Sequence, residues 1–200
     1  MRTNLNDIQW CPGCGGFMTL AALKNAIKEL GIPKENLVIV GGIGCTSKTP
    51  QYIDSYGVES LHGRTLPFAT GVKLANPDLT VIAIGGDGDG YGIGLGHFLH
   101  NCRRNVNITY IVSDNENYAL TTGQASATTP LDIVTKSTPE GNKIPPLDPV
   151  LLAKSAGCGF TIQMENYKPA ELKEKIKEAI LHPGFSHINV KQNCVAWKKW

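Results

Sequence analysis

Long apolar runs are missing from this sequence. The longest, such as Leu79 to Ile84, are far shorter than the roughly 18 residues that a membrane-spanning helix needs. Met1 to Trp10 also lack the apolar region of a signal peptide. We therefore expect a cytoplasmic protein that does not bind a membrane.

An excess of charge of one sign is missing too. Nineteen Lys and Arg residues stand against 17 Asp and Glu residues, which gives a formal net charge of +2. A nucleic-acid-binding domain usually has a clear basic excess, so we expect no nucleic-acid partner. With 42% hydrophobic and 18% charged residues, the 200-residue chain has an ordinary globular composition, and its length predicts a single domain over residues 1–200.

Strands alternate with helices along the chain. Short apolar runs at Leu37 to Val40, Leu79 to Ile84 and Asn107 to Ser113 predict strands, and each ends in a glycine or Asp-Asn cluster. The other predicted elements are helices Phe17 to Leu30, Pro67 to Ala75, Gly94 to Arg104 and one from about Pro149, then a strand near Phe160 to Met164, a helix Pro169 to Leu181 and a strand His187 to Lys191. This pattern predicts an α/β fold, a doubly wound and mostly parallel sheet with helices on both faces.

The unusual residues follow the predicted strands. In a parallel sheet of this kind, ligands bind at the carboxyl ends of the strands, where the strand order switches. The segments Gly41 to Lys48, Gly85 to Gly94 and Asp114 to Gln124 should therefore converge on one crevice. The Pro- and Thr-rich loop from Thr128 to Pro149 is long enough to be functional or mobile rather than a simple connection.

The glycine-rich segment Gly85 to Gly90 has three interpretations. A dinucleotide fingerprint is disfavoured, because Asp87 would face the pyrophosphate. A calcium loop is excluded, because the twelfth position counted from Asp87 is Phe98 rather than Glu. The third interpretation is that Asp87 holds Mg²⁺, which bridges the protein to a diphosphate. The second ligand is then expected about one βαβ unit of roughly 30 residues downstream, where Asn115 follows the next strand.

Cys11 and Cys14 form a CxxC pair before the first helix. A dithiol redox pair is disfavoured because no strand precedes it, which leaves half of a zinc site or half of an iron-sulfur site. Cys45 in a glycine turn and Cys194, in a tail expected to lack regular structure, can both move toward a metal. We expect Cys102 and Cys158 to be small hydrophobic residues of the core. Spacing alone does not separate iron-sulfur from zinc.

Together these motifs resemble a known family. Gly86-Asp87-Gly88 followed by Asp114-Asn115 resembles the thiamine diphosphate motif. The wider pattern is similar to the β subunit of the 2-oxoacid:ferredoxin oxidoreductases, and the likeness extends from Trp10-Cys11-Pro12-Gly13-Cys14-Gly15 through Gly86 to Gly94, His97, Arg103 to Asn105, Tyr118 and Thr121 to Gln124 as far as Gln192-Asn193-Cys194.

The resemblance implies a thiamine diphosphate-binding fold and an enzyme that decarboxylates a 2-oxoacid, such as 2-oxoglutarate or pyruvate. Electrons would pass to ferredoxin and the acyl group to coenzyme A. The implied cofactors are thiamine diphosphate, Mg²⁺ and a 4Fe-4S cluster. An α subunit is the implied partner that carries the pyrimidine-binding half, since no carboxylate of this chain lies in a motif that we can assign to the aminopyrimidine. If that carboxylate lay in this chain, Glu59 and Glu116 would be the first candidates.

The resemblance also implies roles for individual residues. Asp87 and Asn115 would bind Mg²⁺ through their side chains and Asn117 through its carbonyl, while Lys48, in the substrate pocket, and His62 are the candidate catalytic residues. The cluster ligands would be Cys11, Cys14, Cys45 and Cys194. The residues expected to line thiamine diphosphate are Ile43, Gly44, Cys45, Thr46, His62, Gly88, Asp89, Ala119 and Leu120.

Two alternatives and a departure from the family pattern stand beside this interpretation. The alternatives are a non-redox thiamine diphosphate-dependent decarboxylase subunit with a structural Cys₄ zinc site and a metal-bound binding module without catalysis. An electron carrier next to the thiamine site is chemically useful, whereas zinc has no redox chemistry, so the iron-sulfur interpretation is favoured. The departure is Thr122, which occupies a position where some family members have a lysine connected with coenzyme A.

Overall fold

Residues 8–200 are described by the computed structural model, and their centre is a six-stranded sheet. Its strands are β1 (Leu37–Gly41), β2 (Tyr56–Glu59), β3 (Thr80–Gly86), β4 (Thr109–Asp114), β7 (Phe160–Glu165) and β8 (Ser186–Lys191). The order across the sheet is β2-β1-β3-β4-β8-β7, and every neighbouring pair is parallel. A two-stranded antiparallel ribbon, β5 (Asn117–Tyr118) and β6 (Gln124–Ala125), follows β4.

Helices cover both faces of the sheet. They are α1 (Gly16–Glu29), α2 (Thr65–Ala75), α3 (Leu95–Arg104), α4 (Pro149–Ser155) and α5 (Pro169–Leu181). In β1, Ile39 packs in a core with α1 and α5, whereas Val40 packs in a second core with α2, α3 and α4. Successive side chains of a strand point to opposite faces, so a strand buried on both faces needs the continuous apolar run seen in the sequence. The predicted doubly wound fold is confirmed.

The predicted helices and strands are present with small shifts at their ends. The α5 helix has the predicted bounds, and α4 begins where Asp148 caps it by accepting a hydrogen bond from the Leu151 N–H (2.9 Å), with Pro149 at the first helical position. None of the helices in the described range is long and apolar enough to span a membrane. Predictions that involve Met1 to Asp7 lie outside the described residues.

Three segments differ from the sequence-based expectations. The edge strand β2 was not predicted, because its residues are mostly exposed and carry no apolar alternation. Thr46–Tyr52 forms a 3₁₀ helix after β1, and Gly88–Ile93 forms a π-helical turn before α3. The tail after β8 forms no helix or strand, as expected, but Cys194 in this tail is buried and its carbonyl accepts a hydrogen bond from the Lys198 N–H (3.0 Å).

The loop from Thr128 to Pro149 is held by a buried asparagine. The Asn142 side-chain amide donates to the carbonyls of Thr129 (2.8 Å), Pro130 (3.2 Å) and Ile144 (2.8 Å). Backbone carbonyls away from regular structure need such partners when they are buried. The start of the loop also contacts the carboxyl end of β4, where the Thr128 hydroxyl donates to Asp114 Oδ1 (2.7 Å).

Candidate functional site

The strand order switches between β1 and β3. From β1 the chain moves outward to β2, and from β3 it moves the other way to β4. A cavity of about 220 Å³ lies at the carboxyl ends of these strands, the position where parallel sheets bind ligands. Every residue predicted to line the cofactor lines this cavity: Ile43, Gly44, Cys45, Thr46, His62, Gly88, Asp89, Ala119 and Leu120. We call it the diphosphate pocket.

The three predicted Mg²⁺ ligands line the same pocket. Asp87 follows β3, and Asn115 and Asn117 follow β4. Asn115 and Asn117 fix one another, since the Asn117 side-chain amide donates to the Asn115 carbonyl (2.8 Å) and the Asn117 N–H donates to Asn115 Oδ1 (3.2 Å). The Asn117 Oδ1 atom is buried without a hydrogen-bond partner. A buried acceptor of this kind is costly unless it binds a cation or a donor.

Asp87 is a buried carboxyl group that forms no ion pair with another described residue. Burial and the nearby Asp114 carboxylate raise the pKa of Asp87 to about 7. The Thr128 hydroxyl lies 3.1 Å from Asp87 Oδ2 and 2.7 Å from Asp114 Oδ1, and its single proton can serve only one of them. Lys191 neutralises Asp114 through a 2.8 Å ion pair. A divalent cation in the pocket would supply the positive charge that stabilises Asp87 as a carboxylate.

Asp89 holds two segments of the pocket wall together through its carboxylate. Its Oδ1 accepts hydrogen bonds from the backbone N–H groups of Ile43 (3.0 Å) and Gly63 (2.8 Å) and contacts His62 Nδ1 (3.1 Å), and its Oδ2 accepts from the Thr65 hydroxyl (2.8 Å). Both oxygens of Asp89 are therefore used within the protein. This residue joins the turn after β1 to the start of α2, so it acts on the pocket mainly by holding its wall.

Glycines permit the close packing of the loop that follows β3. A Cβ atom on Gly88 would overlap the ring of Tyr118, whose hydroxyl donates to the Gly88 carbonyl (3.3 Å). A Cβ atom on Gly90 would overlap the hydroxyl of Tyr110. These glycines therefore allow the tyrosine side chains to pack directly against the backbone of the loop. Gly88 also lines the pocket.

A second cavity, of about 180 Å³, adjoins the diphosphate pocket and brings together the four predicted cluster cysteines. We call it the cysteine cavity; it is lined by Cys11, Cys14, Cys45 and Cys194 among others. Residues that line both cavities are Cys45, Asn115, Ala119 and Leu120. Cys102 and Cys158 lie elsewhere in the core that packs against α2, α3 and α4. The sequence-based division of the cysteines therefore agrees with their placement.

Hydrogen bonds hold the cysteine-bearing segments in place. Cys14 Sγ accepts from the Gly16 N–H (3.4 Å) and from the Gln192 side-chain amide (3.7 Å), and Trp10 Nε1 donates to the Cys45 carbonyl (2.6 Å). Burial and the neighbouring thiols raise the pKa of Cys45 to about 11, and burial also raises the pKa of Cys14. As free thiols these groups are neutral, and a bound metal would be needed to stabilise them as thiolates.

The geometry bears on which metal centre fits the four thiols. Within the part of the chain that the structure describes, no three His, Cys, Asp or Glu side chains form a site for a single metal ion. Zinc would require four thiolates around one atom at about 2.3 Å. In a four-iron cluster each thiolate binds a different iron, so the ligands lie further apart. Four thiols that line one cavity are a donor set that such a cluster can use.

The two candidate catalytic residues are placed differently. His62 lines the diphosphate pocket, with its ring centre 6.2 Å from that of Tyr118. Lys48 does not line that pocket, and its ammonium donates to Gln9 Oε1 (2.6 Å) at the edge of the cysteine cavity. The role of Lys48 in a substrate pocket stays a prediction.

Two contributors to the site were missed by sequence reasoning. Thr128 contacts Asp87 from a loop with no motif, and its approach depends on how that loop folds back. Glu116 was considered only as a substitute catalytic carboxylate, but it does not line the diphosphate pocket and instead pairs with Lys191 (2.7 Å) and Lys198 (2.8 Å). Glu59 is exposed on β2 and bonds to the Gln51 side chain.

Comparison with known proteins shows the family of this chain. Residues 42–190 match the family model for the thiamine pyrophosphate enzyme, C-terminal TPP binding domain. The 2-oxoacid:ferredoxin oxidoreductase subunit beta of Saccharolobus solfataricus is 49% identical over 97% of this chain and 64% of its own length. The 2-oxoglutarate synthase subunit KorB of Archaeoglobus fulgidus is 41% identical over 97% of this chain and 72% of its own length.

A solved structure is similar over almost the whole chain. It is the 2-oxoglutarate:ferredoxin oxidoreductase from Magnetococcus marinus with 2-oxoglutarate, coenzyme A and succinyl-CoA bound, with a TM-score of 0.96 and 41% identity over 99% of this chain and 68% of that one. The present chain spans between 60% and 65% of the length of several 2-oxoacid:ferredoxin oxidoreductase β subunits that it matches. The chain belongs to the thiamine pyrophosphate enzymes and, within them, to the β-subunit family of the 2-oxoacid:ferredoxin oxidoreductases.

Proposed function

We propose that this protein is the cofactor-binding β subunit of an enzyme that oxidatively decarboxylates a 2-oxoacid with coenzyme A and passes the electrons to ferredoxin. The observation that carries the proposal is the wall shared by the diphosphate pocket and the cysteine cavity, formed by Cys45, Asn115, Ala119 and Leu120. A thiamine-dependent decarboxylation produces an electron-rich centre, and an adjacent one-electron carrier turns the reaction into an oxidation. The names of the relatives do not favour the non-redox alternative with structural zinc.

In this proposal Asp87, Asn115 and Asn117 hold Mg²⁺, which neutralises the diphosphate. The support comes from the raised pKa of Asp87, which a cation would lower, and from the position of all three residues in the wall of one pocket. When bound, thiamine diphosphate supplies nucleophilic attack on the 2-oxo carbon and acceptance of the electron pair left by departing CO₂. The protein orients the cofactor through the turn at Ile43 to Thr46, which Asp89 fixes.

Four cysteines hold the 4Fe-4S cluster in this proposal: Cys11, Cys14, Cys45 and Cys194. Their support is the common cavity and the mutual electrostatic influence of the thiols on the pKa of Cys45. Of the four cysteines, Cys45 alone is among the residues that line both cavities. Its sequence neighbours Ile43, Gly44 and Thr46 line the diphosphate pocket with it. Its backbone therefore connects the two centres. Because cluster thiolates need a reducing compartment, we place the protein in the cytoplasm.

The substrates are a 2-oxoacid, 2-oxoglutarate or pyruvate, and coenzyme A. The similar Magnetococcus structure contains 2-oxoglutarate, coenzyme A and succinyl-CoA. Lys48 and His62 are proposed to contact the substrate. The lysine expected after Thr121 is replaced by Thr122, but Lys136 donates to the Thr122 hydroxyl (2.6 Å) and places an ammonium group at this point. We propose that Lys136 supplies the charge for coenzyme A.

An α subunit completes the site in this proposal. Among the described residues, the two carboxylates that line the diphosphate pocket, Asp87 and Asp89, are both committed to other contacts, so we propose that a partner supplies the group that activates the aminopyrimidine. Apolar side chains at the pocket are exposed: Ile43 and Leu120 line it and are 41% and 52% accessible, and Leu61, next in sequence to His62, is 77% accessible. Such a rim is typical of a surface that another subunit covers.

The proposed function is tested with the chain reconstituted anaerobically with iron and sulfide and mixed with its partner subunit. A panel of 2-oxoacids is assayed for coenzyme A-dependent reduction of ferredoxin, and iron and zinc are quantified in the same sample. We expect iron, a visible cluster absorption and turnover with at least one 2-oxoacid. A zinc-loaded, iron-free protein that releases CO₂ without reducing ferredoxin would establish the alternative.

A further inference from the structure

Glu116 stands between two proposed Mg²⁺ ligands but faces away from their pocket. Its neighbours Asn115 and Asn117 line the diphosphate pocket, whereas Glu116 does not. Its backbone has a φ of +62°, a left-handed conformation that is uncommon for residues other than glycine. The carbonyl is fixed by the Thr129 hydroxyl (2.6 Å). The conformation lets the residues on either side line the pocket while the carboxylate points elsewhere.

The carboxylate of Glu116 contacts the segment that carries Cys194. Its oxygens pair with Lys191 (2.7 Å) and Lys198 (2.8 Å) and accept a hydrogen bond from Trp200 Nε1 (3.3 Å). These partners lie before and after Cys194 in the sequence. The side chains of Glu116, Lys191 and Lys198 are only 12%, 23% and 18% exposed, so water screens these ion pairs less than it screens surface pairs.

Further bonds join the same two segments. Lys191 also pairs with Asp114 (2.8 Å), and the Gln192 N–H donates to the Asp114 carbonyl (2.9 Å). The Lys198 N–H donates to the Cys194 carbonyl (3.0 Å). Asn115, next to Glu116, lines both cavities. A displacement of Glu116 would therefore change the positions of both the proposed Mg²⁺ ligands and Cys194.

From this geometry we infer that Glu116 is a positioning residue that couples the diphosphate pocket to the cysteine cavity. The inference rests on the proposed function, because it assumes that the two cavities hold Mg²⁺-thiamine diphosphate and an iron-sulfur cluster. Glu116 contacts neither group. It acts by holding the loop after β4 and the Cys194 segment at a fixed separation, so that loss of its charge loosens both sites together.

The test uses the full chain, reconstituted with iron and in complex with its partner, and compares three variants. Glu116→Gln keeps the size of the side chain and removes its charge, and Lys198→Met removes the charged one of the two partners that lie beyond Cys194, Lys198 and Trp200. Glu29→Gln is the matched control, because Glu29 also binds two lysines, Lys173 (2.5 Å) and Lys177 (2.9 Å), on α1 and α5 and away from both cavities. Calorimetry gives the affinity for Mg²⁺-thiamine diphosphate, and the rate of iron loss to a chelator reports on the cluster.

We expect Glu116→Gln to weaken cofactor binding and to accelerate iron loss, each by about fivefold or more, the usual size of coupling between two sites. Lys198→Met should also weaken cofactor binding although Lys198 lines neither cavity, an effect that a local structural role would not produce. Glu29→Gln should match the wild type in both measurements. If Glu116→Gln does not fold, Lys198→Met alone decides.

Two results would overturn the inference: wild-type cofactor affinity in Lys198→Met, or weaker cofactor binding in Glu116→Gln with iron retained as in Glu29→Gln. A wild-type complex that binds no thiamine diphosphate or no iron would instead refute the proposed function. The two failures are therefore distinguishable, since the inference is judged only on a wild type that carries both groups.

Discussion

Asp87 is the residue on which the metal assignment depends most. It is buried, its pKa is raised to about 7 by burial and by Asp114, and it lines the diphosphate pocket. Asp87→Asn keeps the shape of the side chain but removes the charge that would bind Mg²⁺. We expect the affinity for Mg²⁺-thiamine diphosphate to fall by more than the roughly 10–100-fold lost with an outer-sphere partner.

Calorimetric titration checks this prediction. Asp132→Asn serves as the control, because Asp132 is exposed and its ion pair with Lys143 lies outside the pocket. An Asp87→Asn variant that binds the cofactor as tightly as Asp132→Asn would remove Asp87 from the metal site.

The six cysteines allow a contrast between ligands and core residues. Cys194→Ser should lose iron or make it labile, because Cys194 lines the cysteine cavity. Cys102→Ser and Cys158→Ser should keep their iron and lose only roughly 1–3 kcal/mol of stability from a buried hydroxyl. Iron content and thermal unfolding measure the two effects. Loss of iron from Cys102→Ser with retention in Cys194→Ser would reverse the assignment.

His187 predicts how stability depends on pH. It is fully buried, where its ring nitrogens contact the Tyr91 hydroxyl (2.7 Å) and the Thr161 hydroxyl (2.8 Å), and burial lowers its pKa to about 3. From an ordinary pKa of about 6.5 down to about 3, the unfolded chain binds a proton here that the folded chain does not. The stability contributed by His187 is therefore lost as pH falls, by about 1.4 kcal/mol per pH unit.

Urea unfolding between about pH 5 and pH 7 measures this slope. His187→Gln, which retains a polar group for Tyr91, should flatten the slope, whereas the exposed His100→Gln should leave it as in the wild type. Equal slopes in all three proteins would show that His187 does not titrate in this way.

At the level of elements, two glycines near the start of α3 differ in whether their position requires glycine: Gly88, in the turn after β3, does, and Gly96, inside α3, does not. A Cβ atom on Gly88 would overlap the Tyr118 ring, so Gly88→Ala must displace the tyrosine or the loop and should weaken cofactor binding. A Cβ atom on Gly96, in α3, would meet nothing within 4 Å, so Gly96→Ala should stabilise the helix by about 0.5–1 kcal/mol and leave binding unchanged.

This pair of substitutions is matched, since each adds one methyl group. Calorimetry with Mg²⁺-thiamine diphosphate and thermal unfolding would be run on both variants. Equal affinities in Gly88→Ala and Gly96→Ala would mean that the contact with Tyr118 does not shape the pocket.

Elements with strong local patterns could be predicted from the sequence, and those made by tertiary contacts could not. The α5 helix has apolar residues at helical spacing and begins at a proline, and its predicted bounds were correct. The β2 strand exists because its backbone pairs with β1 at the edge of the sheet, and its exposed side chains leave no signal. In the site, the residues of the loops after β3 and β4 were found from their motif. Thr128 and Glu116 were missed because their contacts depend on how distant segments fold back.

For the whole molecule, the proposed partner has a measurable consequence. The exposure of Ile43 and Leu120, and the engagement of both carboxylates among the described residues that line the pocket, support the proposal that a partner completes the site. We expect the purified chain alone to bind thiamine diphosphate weakly, to self-associate and to show no 2-oxoacid-dependent reduction of a viologen dye.

Activity should appear when the partner subunit is added, and light scattering should show less self-association at the same time. Robust turnover by the chain alone would contradict the divided site. The catalytic carboxylate would then have to lie in this chain, although Glu59 bonds to Gln51 and Glu116 pairs with Lys191 and Lys198.

The four cysteines of the cysteine cavity are far apart in the sequence, so they are synthesised at different times. Cys14 contacts Gln192 across 178 positions of sequence, so the segment with Cys194 is synthesised long after Cys11 and Cys14. At about 5–20 residues per second, on the order of ten to forty seconds pass between the synthesis of Cys11 and that of Cys194. Cys194 also follows β8, which pairs with β4, so we expect the four proposed ligands to come together only after β8 has been made. Loading of the cluster is thus expected to follow folding, and newly made chains have a period in which Cys11 and Cys14 are open to oxidation.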